Sequence, residues 1–293
     1  MDTNLAILPN IPFNSHFFKL NVNNKIHYFD EGPSVDNQAI VCVHGNPSWS
    51  YFYRSIIENF KNSMRVVAFD HLGMGLSSRP TNYPYCLKNH TANFEKLMNY
   101  LSIEKVHLIV HDWGGPIGLS YAIKNIEKIA SITIMNTAGF YSSHIPKRIL
   151  LCRIPFLGPL MIKHFNIFSY TATFMATQRP MDKETKKAYL FPYNSVKSRV
   201  AISQFVQDIP INSHHPTRIL LDELEQTLPT LNDIPKLILW GGKDFCFDDY
   251  YFHRWKNIFP MAKTTYIKDA GHYLLEDSPQ VAIKALENFW KSL

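Results

Sequence analysis

Long apolar runs are missing from this chain. The longest, "ILLCRIPFLGPLMI", is interrupted by Arg153 and two prolines. It is too short and too broken to span a bilayer, which takes about 20 apolar residues. Cysteine is scarce: Cys42, Cys86, Cys152 and Cys246 lie far apart and form no CxxC pair. That spacing argues against a disulfide scaffold and for reduced thiols in a cytoplasmic protein. The basic excess is small and scattered, 30 Lys and Arg against 24 Asp and Glu. Without a stripe of one sign, no nucleic-acid partner is expected. The opening "MDTNLAILPNIPF" has an early acid and prolines but no basic n-region, so it does not read as a secretory signal. There is no internal repeat at a period of roughly 20–50 residues and no low-complexity tract.

What is present suits an enzyme-sized globule. Hydrophobic residues make up 46% of 293 residues, enough for one large α/β domain with a sizeable core. "HFFKLNVNNKIHYFDEG" reads as a hairpin turning at Asn23-Asn24. Short, β-branched apolar runs follow: "AIVCVHG" (Ala39–Gly45), "RVVAFD" (Arg65–Asp70), "VHLIVHD" (Val106–Asp112) and "IASITIMN" (Ile129–Asn136). Helix-compatible segments separate them. Continuous apolar strands alternating with helices imply a mostly parallel sheet covered on both faces. From about Thr137 to Pro216 no convincing strand appears. The alternation resumes with "PKLILWGG" (Pro235–Gly242), "KTTYIKDAGH" (Lys263–His272) and a last helix. The expected organisation is an eight-stranded core, residues 1–137 and 217–293, with a helical cap, 138–216, inserted after the sixth strand.

The chemistry gathers at strand ends. "LIVHDWGGPIGLSYA" breaks from strand to helix at Asp112, with Gly114 and Gly115 letting the two pass closely. This is the spelling of a nucleophile elbow, with an acid where serine is usual and Val110 where a smaller residue is usual. A plain N-cap aspartate would look alike locally. "DAGHYLLEDSP" supplies a base, His272, near the C-terminus. The acid must lie between them in chain order. In "LILWGGKDFCFDD", Asp244 follows the strand end directly, and Asp248 and Asp249 compete with it. No acid is assigned after the sixth strand, which ends in Asn136. "VCVHGNPSWSYFYR" ends the third strand. Its backbone N–H groups and that of Trp113 would form an oxyanion hole, and the side chains of Asn46 and Trp113 carry donors for a departing anion. "DHLGMGLSS" reads as a structural turn.

The acid at the elbow has a chemical reason. A serine that displaces a leaving group from saturated carbon becomes an ether, which water does not readily cleave. An aspartate becomes an ester, which water activated by His272 can cleave.

"HGNPSWSYFYR", "DHLGMGLSSRP", "VHDWGG" and "DAGHYLLED" closely resemble the haloalkane dehalogenase superfamily of α/β-hydrolases. The resemblance implies Asp112 as nucleophile, His272 as base, Asp244 as acid, and Asn46 and Trp113 as halide holders. Asn136 departs from the branch that carries its acid after strand six. "FNIFSY", "RPMDKETKKAYLFPYNS", "RVAISQFVQDIPI" and "WGGKDFCFD" resemble, more narrowly, the cap and acid loop of the cis-β-lactone decarboxylases of bacterial long-chain olefin biosynthesis. That resemblance runs from about residue 15 to 290. It implies a site without metal or cofactor, a very apolar substrate, and an assembly with other enzymes of a hydrocarbon pathway. Three activities are carried forward: β-lactone decarboxylase, haloalkane dehalogenase, and epoxide hydrolase. The last would need a cap tyrosine such as Tyr170, Tyr189 or Tyr193. A non-catalytic binding protein is the fourth alternative, disfavoured because nucleophile, base and acid are all present. The cap aromatics, Phe156, Phe165, Phe168, Phe174, Tyr189, Phe191 and Phe205, are expected mostly to pack the cap on the core, with the remainder walling the site.

Overall fold

A computed structural model describes residues 11–293. Most of the segment read above for a signal peptide, residues 1–10, lies outside the described residues. Eight strands form one sheet in the order β1-β2-β4-β3-β5-β6-β7-β8. The strands are β1 (Ser15–Lys19), β2 (Lys25–Glu31), β3 (Gln38–Val43), β4 (Arg65–Phe69), β5 (Lys105–His111), β6 (Ile129–Met135), β7 (Lys236–Gly241) and β8 (Lys263–Ile267). β2 pairs antiparallel with both β1 and β4, and every other pairing is parallel. The central strands β3 to β6 are almost wholly buried, as strands covered on both faces must be.

Helices α1 (Arg54–Phe60), α2 (Leu87–Leu101) and α3 (Gly114–Lys124) fall between β3 and β6. After β6 come five helices with no strand among them: α4 (Lys147–Cys152), α5 (Leu157–Phe165), α6 (Ile167–Met175), α7 (Lys183–Leu190) and α8 (Val200–Gln207). α9 (Pro216–Thr227) then packs on α2 and α3, returning the chain to the core. α10 (Asp249–Ile258), α11 (Leu274–Asp277) and α12 (Pro279–Trp290) complete it.

Two local readings are corrected. The hairpin does not turn on Asn23-Asn24 alone. Its loop runs from Leu20 to Asn24, closed by Leu20 N–H to Asn24 O and shaped by the Asn21 carboxamide, which accepts from the N–H groups of Asn23 and Asn24. β8 is also shorter than the stretch Lys263–His272 read for it. It stops at Ile267, where its last partner, Gly241, ends β7. Beyond that point only the backbone bonds Gly242 N–H to Ile267 O and Lys243 N–H to Ala270 O link the two segments, and the chain turns away to carry His272 over the sheet.

The expected structural turn after β4 is a buried network. The Asp70 carboxylate accepts from Ser50 N–H at 2.7 Å, Leu76 N–H at 2.8 Å and the His27 ring at 2.8 Å. With its oxygens on backbone amides and a histidine, Asp70 fastens the loops after β3 and β4 to each other. Among the described residues, no helix is long and apolar enough to cross a membrane. All four cysteines are free; Cys42 is buried and the other three are partly exposed.

Candidate active site

The site forms where β5, β6, β7 and β8 end. Asp112 follows β5 directly, with φ at +52°. A side chain there is strained unless its surroundings hold it, and such strain concentrates at functional sites. Here the holding contacts are visible. Asp112 N–H donates to Asn136 O at 3.2 Å, and the Thr137 hydroxyl donates to Asp112 O. Gly114 opens α3 so close to β3 that a Cβ would collide with Val43 O. The bulk of Val110, unusual two residues before an elbow tip, is taken up one turn further on. A Cβ on Gly118 would overlap the Val110 methyl, so the absent side chain makes the room.

The Asp112 carboxylate is buried and accepts from Asn46 N–H at 2.6 Å. Burial pushes its pKa above the ordinary carboxylate range, while His272 and the N–H groups of Asn46 and Trp113 pull the other way. The N-terminus of α3 adds favourable dipole at the same place. Those N–H groups favour the charged carboxylate and would hold the oxyanion of a tetrahedral intermediate at the same carbon.

His272 presents Nε2 to Asp112 Oδ2 at 3.8 Å and bonds Asp244 Oδ2 through Nδ1 at 2.7 Å. With Nδ1 committed as donor, Nε2 is the basic nitrogen facing Asp112. Burial alone would lower the imidazole pKa; the Asp244 carboxylate, helped by Asp112, holds it above its usual value instead. The two competing acids are engaged elsewhere. Asp248 caps α10 and pairs with exposed His144 at 2.7 Å, and Asp249 accepts from the Tyr266 hydroxyl at 2.7 Å.

Several groups were not read from the sequence as positioning groups. Asn136, with φ at +30°, donates to Asp244 Oδ2 at 3.0 Å and to Gly241 O at 3.0 Å, and accepts from Gly241 N–H at 2.8 Å. The residue that occupies the alternative acid position thus steers the acid from the neighbouring strand. His111 lies against the His272 ring at 4.5 Å between centroids and donates Nε2–H to His272 O at 2.9 Å. Asp277 accepts from Gly271 N–H at 2.7 Å and from the N–H groups of Gln178 and Arg179, while Tyr273 N–H donates to Ala176 O at 2.7 Å. The His272 loop is therefore tied to the segment leaving α6. An acid one residue beyond "YLLE" was the available signal.

Asn46, Asp112, Trp113 and His272 line one pocket between core and cap. Its walls are mostly apolar, with Phe168, Ala172 and Met175 of α6, Val206 and Ile209, and Leu221 of α9. Asn46 commits one amide hydrogen to Ile202 O in α8 at 3.2 Å, leaving the second free. Trp113 packs on Phe205 at 5.3 Å between centroids. Tyr170, Tyr189 and Tyr193 do not line the pocket. Tyr170 is exposed, Tyr189 donates to Glu276 at 2.5 Å, and Tyr193 donates to Ser48 O at 3.2 Å. The tyrosines that line it are Tyr141, Tyr251 and Tyr273, from the loop after β6, from α10 and from the His272 loop.

The cap aromatics divide. Four of the seven pack on the core, Tyr189 and Phe205 buried and Phe168 and Phe191 partly so, but the remaining three, Phe156, Phe165 and Phe174, face solvent instead of walling the site. Among the described residues no three His, Cys, Asp or Glu side chains converge as a metal site requires.

Residues 38–279 match the family model described as alpha/beta hydrolase fold. The chain is 37% identical to the cis-3-alkyl-4-alkyloxetan-2-one decarboxylase of Shewanella oneidensis, covering 95% of this chain and 89% of that protein. It is 30% identical to haloalkane dehalogenase 2 of Mycobacterium tuberculosis, covering 95% and 96%. The haloalkane dehalogenase DbeA of Bradyrhizobium elkani shares the fold at a TM-score of 0.86 and 22% identity, over 96% of this chain and 98% of that one. The chain belongs to the α/β-hydrolase fold family, on the branch that holds the cis-3-alkyl-4-alkyloxetan-2-one decarboxylases and the haloalkane dehalogenases.

Proposed function

We propose that this protein is a cis-β-lactone decarboxylase, converting a 3,4-dialkyl oxetan-2-one to a cis-alkene and carbon dioxide. The observation that carries the reading is a buried carboxylate, rather than a hydroxyl, at the elbow tip on the floor of an apolar pocket. Its likeness to the Shewanella decarboxylase over nearly the whole chain points the same way.

On this reading Asp112 attacks the ring carbon that bears oxygen. The C–O bond of the ring breaks, and an ester to Asp112 forms beside a free substrate carboxylate. That carboxylate then leaves as carbon dioxide. Its bonding pair becomes the double bond, and the Asp112–carbon bond breaks to restore the aspartate. Inversion in the first step followed by anti loss in the second is net syn, so a cis-lactone gives a cis-alkene. No water is consumed. Asp244 and Asn136 hold His272 beside Asp112, where its protonated form would offset the carboxylate charge.

A dehalogenase is the second reading, favoured by Asn46 and Trp113 flanking the nucleophile. There His272 would activate water against the ester. The epoxide reading loses its three cap hydroxyls, which lie outside the pocket. The accompanying partners are a small apolar substrate and the other enzymes of a hydrocarbon pathway, in the cytoplasm, where four free thiols stay reduced.

The test is incubation of the pure protein with a long-chain cis-β-lactone and, separately, a bromoalkane, measuring alkene and bromide. Alkene from the lactone well above bromide release supports the proposal. Rapid bromide release with the lactone untouched assigns the protein to the dehalogenases.

A further inference from the structure

The cap exposes an apolar surface that the chemistry above leaves unexplained. α5 packs against both α4 and α6, so the three helices adjoin one another. α5 turns only Gly158 and Ile162 inward. Leu151 is 63% exposed, Phe156 92% and Phe165 66%, and Leu157, Leu160 and Phe174 are exposed beside them. A soluble surface scatters such residues; a contiguous group marks a contact.

Phe156 is held outward by its backbone. Its φ is +62° and ψ −50°, and Leu157 N–H donates to Pro155 O at 2.7 Å across it. That is a γ-turn in the rare, strained sense, and a phenylalanine in it is costly unless its projection serves something.

The charge of this face has one sign. No Asp or Glu occurs between Glu127 and Asp182, while Lys147, Arg148, Arg153, Lys163 and Arg179 fall in that span. Lys147, Arg148 and Lys163 make no ion pair with an acid among the described residues. The face is also continuous with the pocket. α4 and α6 line the pocket through Ile149, Phe168 and Met175 and carry the exposed residues on their other sides. Arg148 is both exposed and pocket-lining, with its guanidinium over the Phe245 ring at 5.6 Å.

We propose that α4, α5 and α6 dock the cap on an anionic lipid bilayer, with Phe156 and Leu151 in the interface and the lysines on the headgroups. Apolar helices bearing only positive charge bind such surfaces, and the two contributions add. An acidic protein partner would complement the charge as well. A bilayer also accounts for the pocket rising from the same helices, because it is the phase in which a long-chain substrate and an alkene product dissolve. This last argument rests on the proposed function; the binding itself does not.

The experiment is co-sedimentation of the full chain with phosphatidylcholine vesicles and with vesicles containing one quarter phosphatidylglycerol, at low and high salt. Binding to the anionic vesicles at least tenfold above the neutral ones, weakened by salt, is expected. Leu151→Glu with Phe156→Glu should lose at least tenfold in binding. Lys147→Glu with Lys163→Glu should abolish the preference for anionic vesicles. Thermal melts and turnover of a dissolved short substrate by the first double variant should match the unsubstituted protein. Sedimentation with neither vesicle, or binding that neither double variant weakens, overturns the proposal. So does self-association, or capture of a purified acidic protein, that the first double variant abolishes while vesicles do not bind. Loss of alkene formation with vesicle binding intact would sink the proposed function and leave this inference standing.

Discussion

Replacing Asp244 by asparagine tests the electrostatics of the site in one atom. All three partners of the carboxylate are donors: Cys246 N–H to Oδ1 at 2.6 Å, and Asn136 Nδ2–H and His272 Nδ1–H to Oδ2, at 3.0 and 2.7 Å. An amide must therefore set its NH2 against at least one donor. Facing Cys246 it meets one; facing His272 and Asn136 it meets two. The first orientation wins, so the histidine keeps its tautomer and loses only the charge beside it. At roughly 4 Å between charge centres and an effective dielectric of about 20, that charge is worth about 4 kcal/mol to an imidazolium. At about 1.4 kcal/mol per tenfold, steps that protonate His272 should slow by about a thousandfold. The pH profile should move too. Asp244 helps hold the His272 pKa above its usual value, so without it the imidazole stays neutral to lower pH. The acid limb of residual activity should shift downward. The assay is bromide release from a bromoalkane across pH, with intact-protein mass spectrometry to count ester on Asp112. Asp248→Asn is the control, because its carboxylate sits on exposed His144. A rate within threefold of the unsubstituted protein for Asp244→Asn, or a larger loss at Asp248, would refute the reasoning.

Asp112→Ala should abolish turnover of both substrate classes while circular dichroism shows the fold intact; residual activity above a hundredth would remove the elbow from the mechanism. His272→Gln should trap a bromoalkane as an ester visible by mass, yet retain part of its alkene formation, since the second step there needs no water; equal loss on both substrates would contradict that. Asn136→Ala strips partners from Gly241 and Asp244 and should cost about 2–4 kcal/mol in denaturant unfolding along with a fall in kcat, on the basis of about 1–3 kcal/mol per buried group left unpaired. Selectivity should rise with alkyl length, each buried methylene contributing roughly 0.8 kcal/mol; kcat/KM flat from short to long chains would show that the apolar walls do not hold the chains.

The sheet was legible because its central strands, β3 to β7, are buried on both faces and so are spelled as almost unbroken apolar runs. The elbow was legible because an acid, a tryptophan and two glycines interrupt such a run at Asp112. What stayed hidden depended on pairing. β8 reads as a longer strand than it forms, since only the end of β7 at Gly241 tells it where to stop. Asn136 was read as an empty acid position, yet it bonds Asp244 across 108 positions of sequence. The outward turn of Phe156 was hidden as well. An aromatic in a helical insertion reads as packing until the backbone around it is seen to project it.

On the proposed mechanism, dehalogenation and lactone decarboxylation would begin with the same act at this site, displacement by Asp112 at a saturated carbon. They part only afterwards, and the substrate decides where. When the displaced group stays attached as a carboxylate on the adjacent carbon, the ester can fragment by itself and Asp112 leaves as it came. When the displaced group departs as halide, nothing in the ester can break it, and it waits for water. Water then needs a base, which is why His272 and its Asp244 partner weigh more in the second reaction than in the first. Burial serves both. It denies Asp112 a hydration shell and pushes its pKa up, while the N–H groups of Asn46 and Trp113 favour its charged form at the floor of a mostly apolar pocket. An ionised carboxylate so placed is a stronger nucleophile than one in water, and its mostly apolar walls offer few groups to order the water that would hydrolyse its ester. A lactone, which needs no water, loses nothing by that exclusion. A haloalkane does, and slow ester breakdown on haloalkanes is the cost this architecture predicts.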